Sequence, residues 1–153
     1  MADEAVRVGL RYLTVGYQVR RTVDQRMAGE GTSLARTKVL QVLARRGAVR
    51  QSELANELGH APRSVTQAVE ALERDGLVER EAATDDRRAK LVVLTGRGAE
   101  ALAAGTVAGE RAVREVFGAL SPAQLAELDA ALAVIEGVVG VAAPISWPGP
   151  PAS

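Results

Sequence analysis

Between Gln51 and Thr95 the apolar residues change their spacing from a helical to an alternating pattern within one continuous stretch. The first half reads as two short helices. "QSELANEL" stops at Gly59, and "PRSVTQAVEALERD" opens on Pro62, where a missing N–H costs nothing, and ends at Gly76. Ala55 is small where the two helices cross, Gly59 makes the turn, and Val65, Val69 and Leu72 anchor the second helix inward. The second half, "LVER" and "KLVVLT", is rich in β-branched residues and divided by a polar loop, which predicts two antiparallel strands. A helix-turn-helix followed at once by a two-stranded hairpin is a winged helix, so the expected fold is mainly α with a small β-hairpin wing.

Helical stripes flank this block. Residues 5–28 carry Val6, Leu10, Leu13 and Tyr17 on one face, and something must cover them. After the loop "GEGTS", Ser33 or Thr32 is placed to cap a helix through Leu34, Val39, Leu40 and Leu43 to Gly47. Thr95 can cap a further helix with the face Leu102, Val113, Val116, Phe117 and Leu120. "SPAQ", Ser121 to Gln124, is a capping box that opens a last helix expected to bury Leu125, Leu128, Leu132, Ile135 and Val139. In "GTVAG", Gly105 and Gly109 lie one turn apart; they either permit close helix approach or sit on an exposed face. The proline-rich tail, 144–153, cannot be helical and is expected to be mobile. Long stripes at both ends fit best if they also pack on a second copy, which implies a homodimer.

Nineteen basic residues balance nineteen acidic ones, so an electrostatic partner has to be met by a local patch. From Arg36 to Arg50 the chain holds Arg36, Lys38, Arg45, Arg46 and Arg50 and no acid. The second helix of the pair exposes Arg63, Ser64, Thr66 and Gln67 on its first turn and a half, short or forked groups able to reach base edges or phosphates. Taken alone, an ordinary αα-hairpin with a polar outside explains them as well; the hairpin that follows changes this. The wing loop "TDDRRAKLVVLT" carries Asp86, Arg87, Arg88 and Lys90, more charge than a chain reversal needs. An arginine at the wing tip suits a narrow, electronegative minor groove, and Asp86 is placed to orient the Arg88 guanidinium. A solvated hairpin with one weak ion pair is the plainer alternative. Arg36, Lys38, Arg50 and Ser52 are the candidate phosphate contacts.

Other classes fare worse. There is no cysteine, which excludes disulfides, thiolate metal sites and cysteine nucleophiles. His60, the only histidine, lies in the turn between the short helices, where a cap or a backbone phosphate contact suits it better than a zinc site. Asp85 and Asp86 are neighbours on a turn and point apart, with no histidine, nucleophile or phosphate loop beside them, so no enzyme and no cofactor is expected. A winged helix used only for protein interaction would show an apolar patch in place of the polar turn from Arg63 to Gln67. "MADEAVRVGL" does not read as a signal peptide and no segment has the length of a membrane span, so no membrane partner and a cytoplasmic location are expected.

"SELANELGHAPRSVTQAVEALERDGLVER" with "DDRRAKLVVLTGRG" resembles the helix-turn-helix and wing of the MarR family, including the Asp-x-Arg at Asp86 and Arg88 and the Leu-Thr at Leu94 and Thr95. The motifs cover about residues 50–98; the flanking helices match only in length and pattern. The resemblance implies one domain over 1–143, with a winged-helix lobe at about 33–95 and dimerisation helices at about 5–28 and 96–143. It also implies a homodimer on a pseudo-palindromic operator in double-stranded DNA. Such a protein is usually a repressor released by a small phenolic or anionic effector, whose cleft would be lined here by Tyr12, Tyr17 and Arg46. Two cap positions depart from the family: Arg50 and Ala61 stand where Ser or Thr is usual. The family's cysteine-based peroxide sensing is excluded.

Overall fold

The computed structural model describes residues 3–86 and 88–140, which leaves the proline-rich tail and Arg87 outside the described residues. The elements run α1 Glu4–Ala28, α2 Leu34–Arg46, β1 Val49–Arg50, α3 Gln51–Leu58, α4 Pro62–Arg74, β2 Val78–Ala82, β3 Lys90–Leu94, α5 Gly96–Phe117 and α6 Pro122–Val139. Local chemistry sets most of the boundaries. Ser33, rather than Thr32, caps α2 by accepting from the Arg36 N–H at 3.1 Å. Thr95 caps α5 through the Gly98 N–H, and Ser121 with Gln124 forms the full capping box of α6. Helices α3 and α4 start without a side-chain cap, as Arg50 and Ala61 dictate. Gly59 ends α3 at φ 66°, a left-handed conformation that glycine adopts at no steric cost.

The wing is three-stranded, in the order β1-β3-β2, rather than a simple hairpin. The added strand, Val49–Arg50, pairs antiparallel with β3 through Val49↔Val92 and Arg50↔Leu91. Two residues carry no period, so this strand exists only through its partner. The sheet closes one side of the lobe's core, in which Leu40, Leu43, Val49, Leu54, Val65, Val69, Leu72, Val78 and Val92 are almost wholly buried. Each such side chain stabilises the fold by roughly 1.5–3 kcal/mol relative to exposure, which is what holds the short helices to the sheet.

The face of α5 differs from the expected one. Its buried residues are Gly98, Gly105, Ala108, Gly109 and Ala112, while Val113 is exposed and Leu102, Val116, Phe117 and Leu120 are only partly covered. Small residues win because α5 lies against α2 and the wing too closely for larger ones. A Cβ on Gly98 would stand 2.0 Å from the Leu77 carbonyl oxygen, and one on Gly105 would stand 2.7 Å from Thr37 Oγ1. Gly105 of "GTVAG" therefore serves close approach, and Gly109 is buried on the same helix. A second small cluster, Val23, Met27, Leu34, Ala108 and Ala112, joins α1 to the same seam.

Helix α6 buries none of its residues in the single chain, contrary to the expectation for Leu125, Leu128, Leu132, Ile135 and Val139. The stripe Val6, Leu10, Leu13 and Tyr17 of α1 is likewise open. No helix among the described residues is long and apolar enough to cross a membrane.

Because backbone oxygen, not a flexible side chain, blocks Gly98, Gly98→Ala is expected to lower stability in urea by about 3 kcal/mol, the upper part of the range for overpacking. Gly96→Ala, two residues earlier with nothing within 4 Å, serves as the control and is expected to change it by less than about 1 kcal/mol. Equal effects at the two positions would contradict the close-packed seam.

Candidate nucleic-acid interface

The first turns of α4 project from the lobe beside the wing. Val65 and Val69 point into the core and fix the rotation of the helix, which leaves Arg63, Ser64 and Gln67 exposed. Thr66 is half-buried and already engaged: its hydroxyl donates to the Pro62 carbonyl at 3.0 Å and accepts from Gln51 Nε2 at 2.7 Å. It therefore braces α3 against α4 rather than standing free for a base. Gln51 was not among the expected residues, since its role depends on a contact fifteen residues away. Ser52 and His60 are exposed near the two ends of α3.

The wing tip is organised by its own backbone. The Asp86 side chain accepts from the backbone N–H of Arg88 at 2.9 Å, so it shapes the turn and does not orient the guanidinium. The Ala83 N–H donates to the Ala89 carbonyl at 3.1 Å and closes the loop. Arg88 and Lys90 are exposed.

The acid-free run in the sequence is not an acid-free surface. Arg36 pairs with Asp75, Arg45 with Glu57, Arg46 with Glu57 at 2.7 Å and Glu53 at 3.4 Å, and Arg50 with Asp85 at 2.5 Å. The acids come from α3, the end of α4 and the wing, which no local reading of residues 36–50 reveals. Lys38 has no carboxylate within 4 Å among the described residues.

One ion pair ties the reading helix to the wing. Arg80 on β2 donates to Glu73 near the end of α4, from Nη2 at 2.9 Å and from Nε at 3.2 Å. The side-chain hydrogen bond from Arg80 holds the Glu73 carboxyl below its ordinary 4.5, against an opposing contribution from burial, and raises Arg80 in turn.

The expected effector residues do not meet. Tyr12 lines an apolar groove of about 840 Å³ between α1, α5 and α6, with Val19, Val113, Phe117, Leu125 and Leu128 among its walls. Tyr17 lines a separate, smaller hollow of about 430 Å³ on α1. Arg46 lines neither and is held by Glu57 and Glu53.

A polar reading helix in a helix-turn-helix, a sheet-built wing beside it and long helices outside the lobe define a winged helix-turn-helix protein. Residues 32–90 match the model of the MarR family. A putative MarR-like transcription regulator from Bacillus cereus superposes with a TM-score of 0.78 at 25% identity, covering 88% of this chain and 96% of that one. A MarR family transcriptional regulator from Streptomyces coelicolor, in complex with DNA, gives a TM-score of 0.76 at 26% identity over 90% of this chain and 93% of the other. An organohalide-sensing transcriptional regulator bound to 2,4-dichlorophenol shares the fold, with a TM-score of 0.77 at 16% identity over 91% and 83% of the two chains. A search of curated proteins finds no match. In fold, and over residues 32–90 in sequence, the chain resembles MarR family regulators.

Glu73→Gln is expected to lower stability at neutral pH by about 1 kcal/mol, the upper value for a partly exposed pair. Because the folded-state carboxyl is depressed, its contribution is complete above the ordinary 4.5 and is lost as pH falls through the lower folded value. Denaturant titrations of the two proteins should therefore converge in acid. A gap that persists unchanged below that window would show that the pair contributes nothing through its charge.

Proposed function

We propose that this protein is a sequence-specific DNA-binding transcriptional regulator that acts as a homodimer on a pseudo-palindromic operator. The observation that carries the reading is the exposed polar turn of α4, Arg63, Ser64 and Gln67, held rigid by Val65 and Val69 and set beside the wing. The forked amide of Gln67 suits bidentate pairing with adenine, and Arg63 suits guanine or phosphate. Arg88 and Lys90, with Arg87, belong to the minor groove or its phosphates, and Arg36, Lys38, Arg50 and Ser52 to the backbone. An interaction module without DNA binding would need an apolar patch on this turn, and the exposed apolar residues lie instead on α1, α5 and α6.

Those apolar residues support the dimer. Tyr12, Leu13 and Tyr17 of α1 and Val134, Val138 and Val139 of α6 are more than half exposed in the single chain, a cost that a second copy removes. Two lobes so joined would set their reading helices roughly 34 Å apart, one turn of duplex. The regulator acts in the cytoplasm, as a repressor of its own or neighbouring genes. A small phenolic or anionic effector, bound between arms and lobe with Tyr12 in its wall, favours a lobe spacing that no longer fits DNA. Support for this last step is the groove beside Tyr12, which runs among the arm helices and meets the lobe at Leu34, and the dichlorophenol held by a protein of the same fold.

Fluorescence anisotropy on duplex DNA from the upstream region, against a shuffled duplex and across a salt series, tests the reading. Gln67→Ala is expected to cost about 1–3 kcal/mol on the native duplex and little on the shuffled one. Arg88→Ala should weaken both and flatten the salt dependence by about one unit of slope. Wild-type binding that is equal and weak on both duplexes would contradict sequence-specific recognition.

A further inference from the structure

Among the ion pairs around the reading face, the one between Arg50 and Asp85 differs in kind. Those of Arg45 and Arg46 join α2 to α3, and that of Arg80 joins β2 to α4, so each staples two elements of the lobe. Arg50 and Asp85 are already held by other means. The Arg50 backbone is fixed by its register with Leu91 in the sheet, and the loop carrying Asp85 is closed by the bonds Ala83 to Ala89, Ala89 to Asp86 and Arg88 to Asp86. The Asp85 side chain is 69% exposed and that of Arg50 32%, so the pair faces solvent rather than core. Arg50 also directly precedes Gln51, whose amide touches Thr66 on the first turn of α4. A guanidinium at this place stands at the rim of the reading face, between α3 and the wing.

We propose that Asp85 is a built-in competitor for the DNA backbone, occupying Arg50 in the free protein so that a phosphate must displace it. The proposal rests on the DNA-binding reading above and deepens it. A carboxylate oxygen and a phosphate oxygen offer the guanidinium the same charge-assisted hydrogen bond, and one replaces the other with no change in the fold. Arg50 therefore contributes only the difference between two similar bonds, and the released Asp85 stays close to the duplex as a repelling charge. The effect falls on every sequence alike, because phosphate contacts carry no sequence information. Asp85 thereby suppresses nonspecific binding and leaves discrimination to α4.

The test compares the wild type, Asp85→Asn, Arg50→Ala and the double variant on a selected duplex and a shuffled one at physiological salt. Asp85→Asn should bind both duplexes about fivefold more tightly, and the gain should vanish when Arg50 is absent. A gain of equal size in the Arg50→Ala background would reduce Asp85 to simple repulsion and overturn the proposal. So would unchanged or weaker binding by Asp85→Asn, the latter meaning that the pair positions the wing for DNA. Should the wild type hold neither duplex, the regulator reading fails by itself, and the salt needed to elute each protein from immobilised heparin decides the masking. Later elution of Asp85→Asn only where Arg50 is present supports it, and identical elution overturns it.

Discussion

The whole arrangement hangs on how closely α5 approaches the turn between the reading helix and the wing. The Leu77 carbonyl accepts the Thr95 N–H at 3.1 Å, and the Thr95 hydroxyl donates to the Gly76 carbonyl at 2.7 Å. One turn further, Gly98 passes the Leu77 carbonyl where no side chain fits, and Gly105 passes Thr37 in the same way. This seam fixes the direction in which the arm leaves the lobe, and so the orientation of α4 relative to anything the arm binds. It also decides where the large apolar residues go. With glycine and alanine in the seam, Val107 and Val113 face away from the lobe, alongside the open stripes of α1 and α6. A chain built this way has a finished lobe and an unfinished arm, which is the physical case for a second copy.

Charge is handled as economically as packing. In a chain with balanced acids and bases, Arg36, Arg45, Arg46 and Arg50 are already paired, which weakens long-range attraction to a polyanion. At the reading face itself, Arg63 at the start of α4 and Arg88 and Lys90 on the wing have no carboxylate within 4 Å among the described residues. Affinity then depends on docking these few groups in register, and the reading helix rather than bulk charge governs where the protein settles.

Much of this was legible in the sequence wherever the determinant is local. Ser33, Thr95, Ser121 with Gln124, Gly59 and Pro62 act within one turn of themselves, and the helices they bound lie where expected. The inward set Val65, Val69 and Leu72 was equally plain, because a short helix with so few apolar residues has one way to face a core. Nonlocal determinants were hidden. Val49–Arg50 is a strand only because β3 lies beside it, and the acids that meet Arg36, Arg45, Arg46 and Arg50 arrive from elsewhere in the chain. The face of α5 misled for a different reason: apolar periodicity weights large side chains, whereas this helix buries its smallest ones. Asp86 misled through its backbone, since a short acid beside a turn bonds an N–H more readily than a distant guanidinium.

The most direct measurement is a hydroxyl-radical footprint of the protein on duplexes it selects from a random pool, so that the protein itself supplies the operator. Two rigid lobes held by paired arms should protect two patches on one face of the DNA, about ten base pairs apart, each flanked by a weaker patch from a wing. Protection of a single patch, or of no defined position on any selected duplex, would contradict paired recognition by α4 and the arms that hold it.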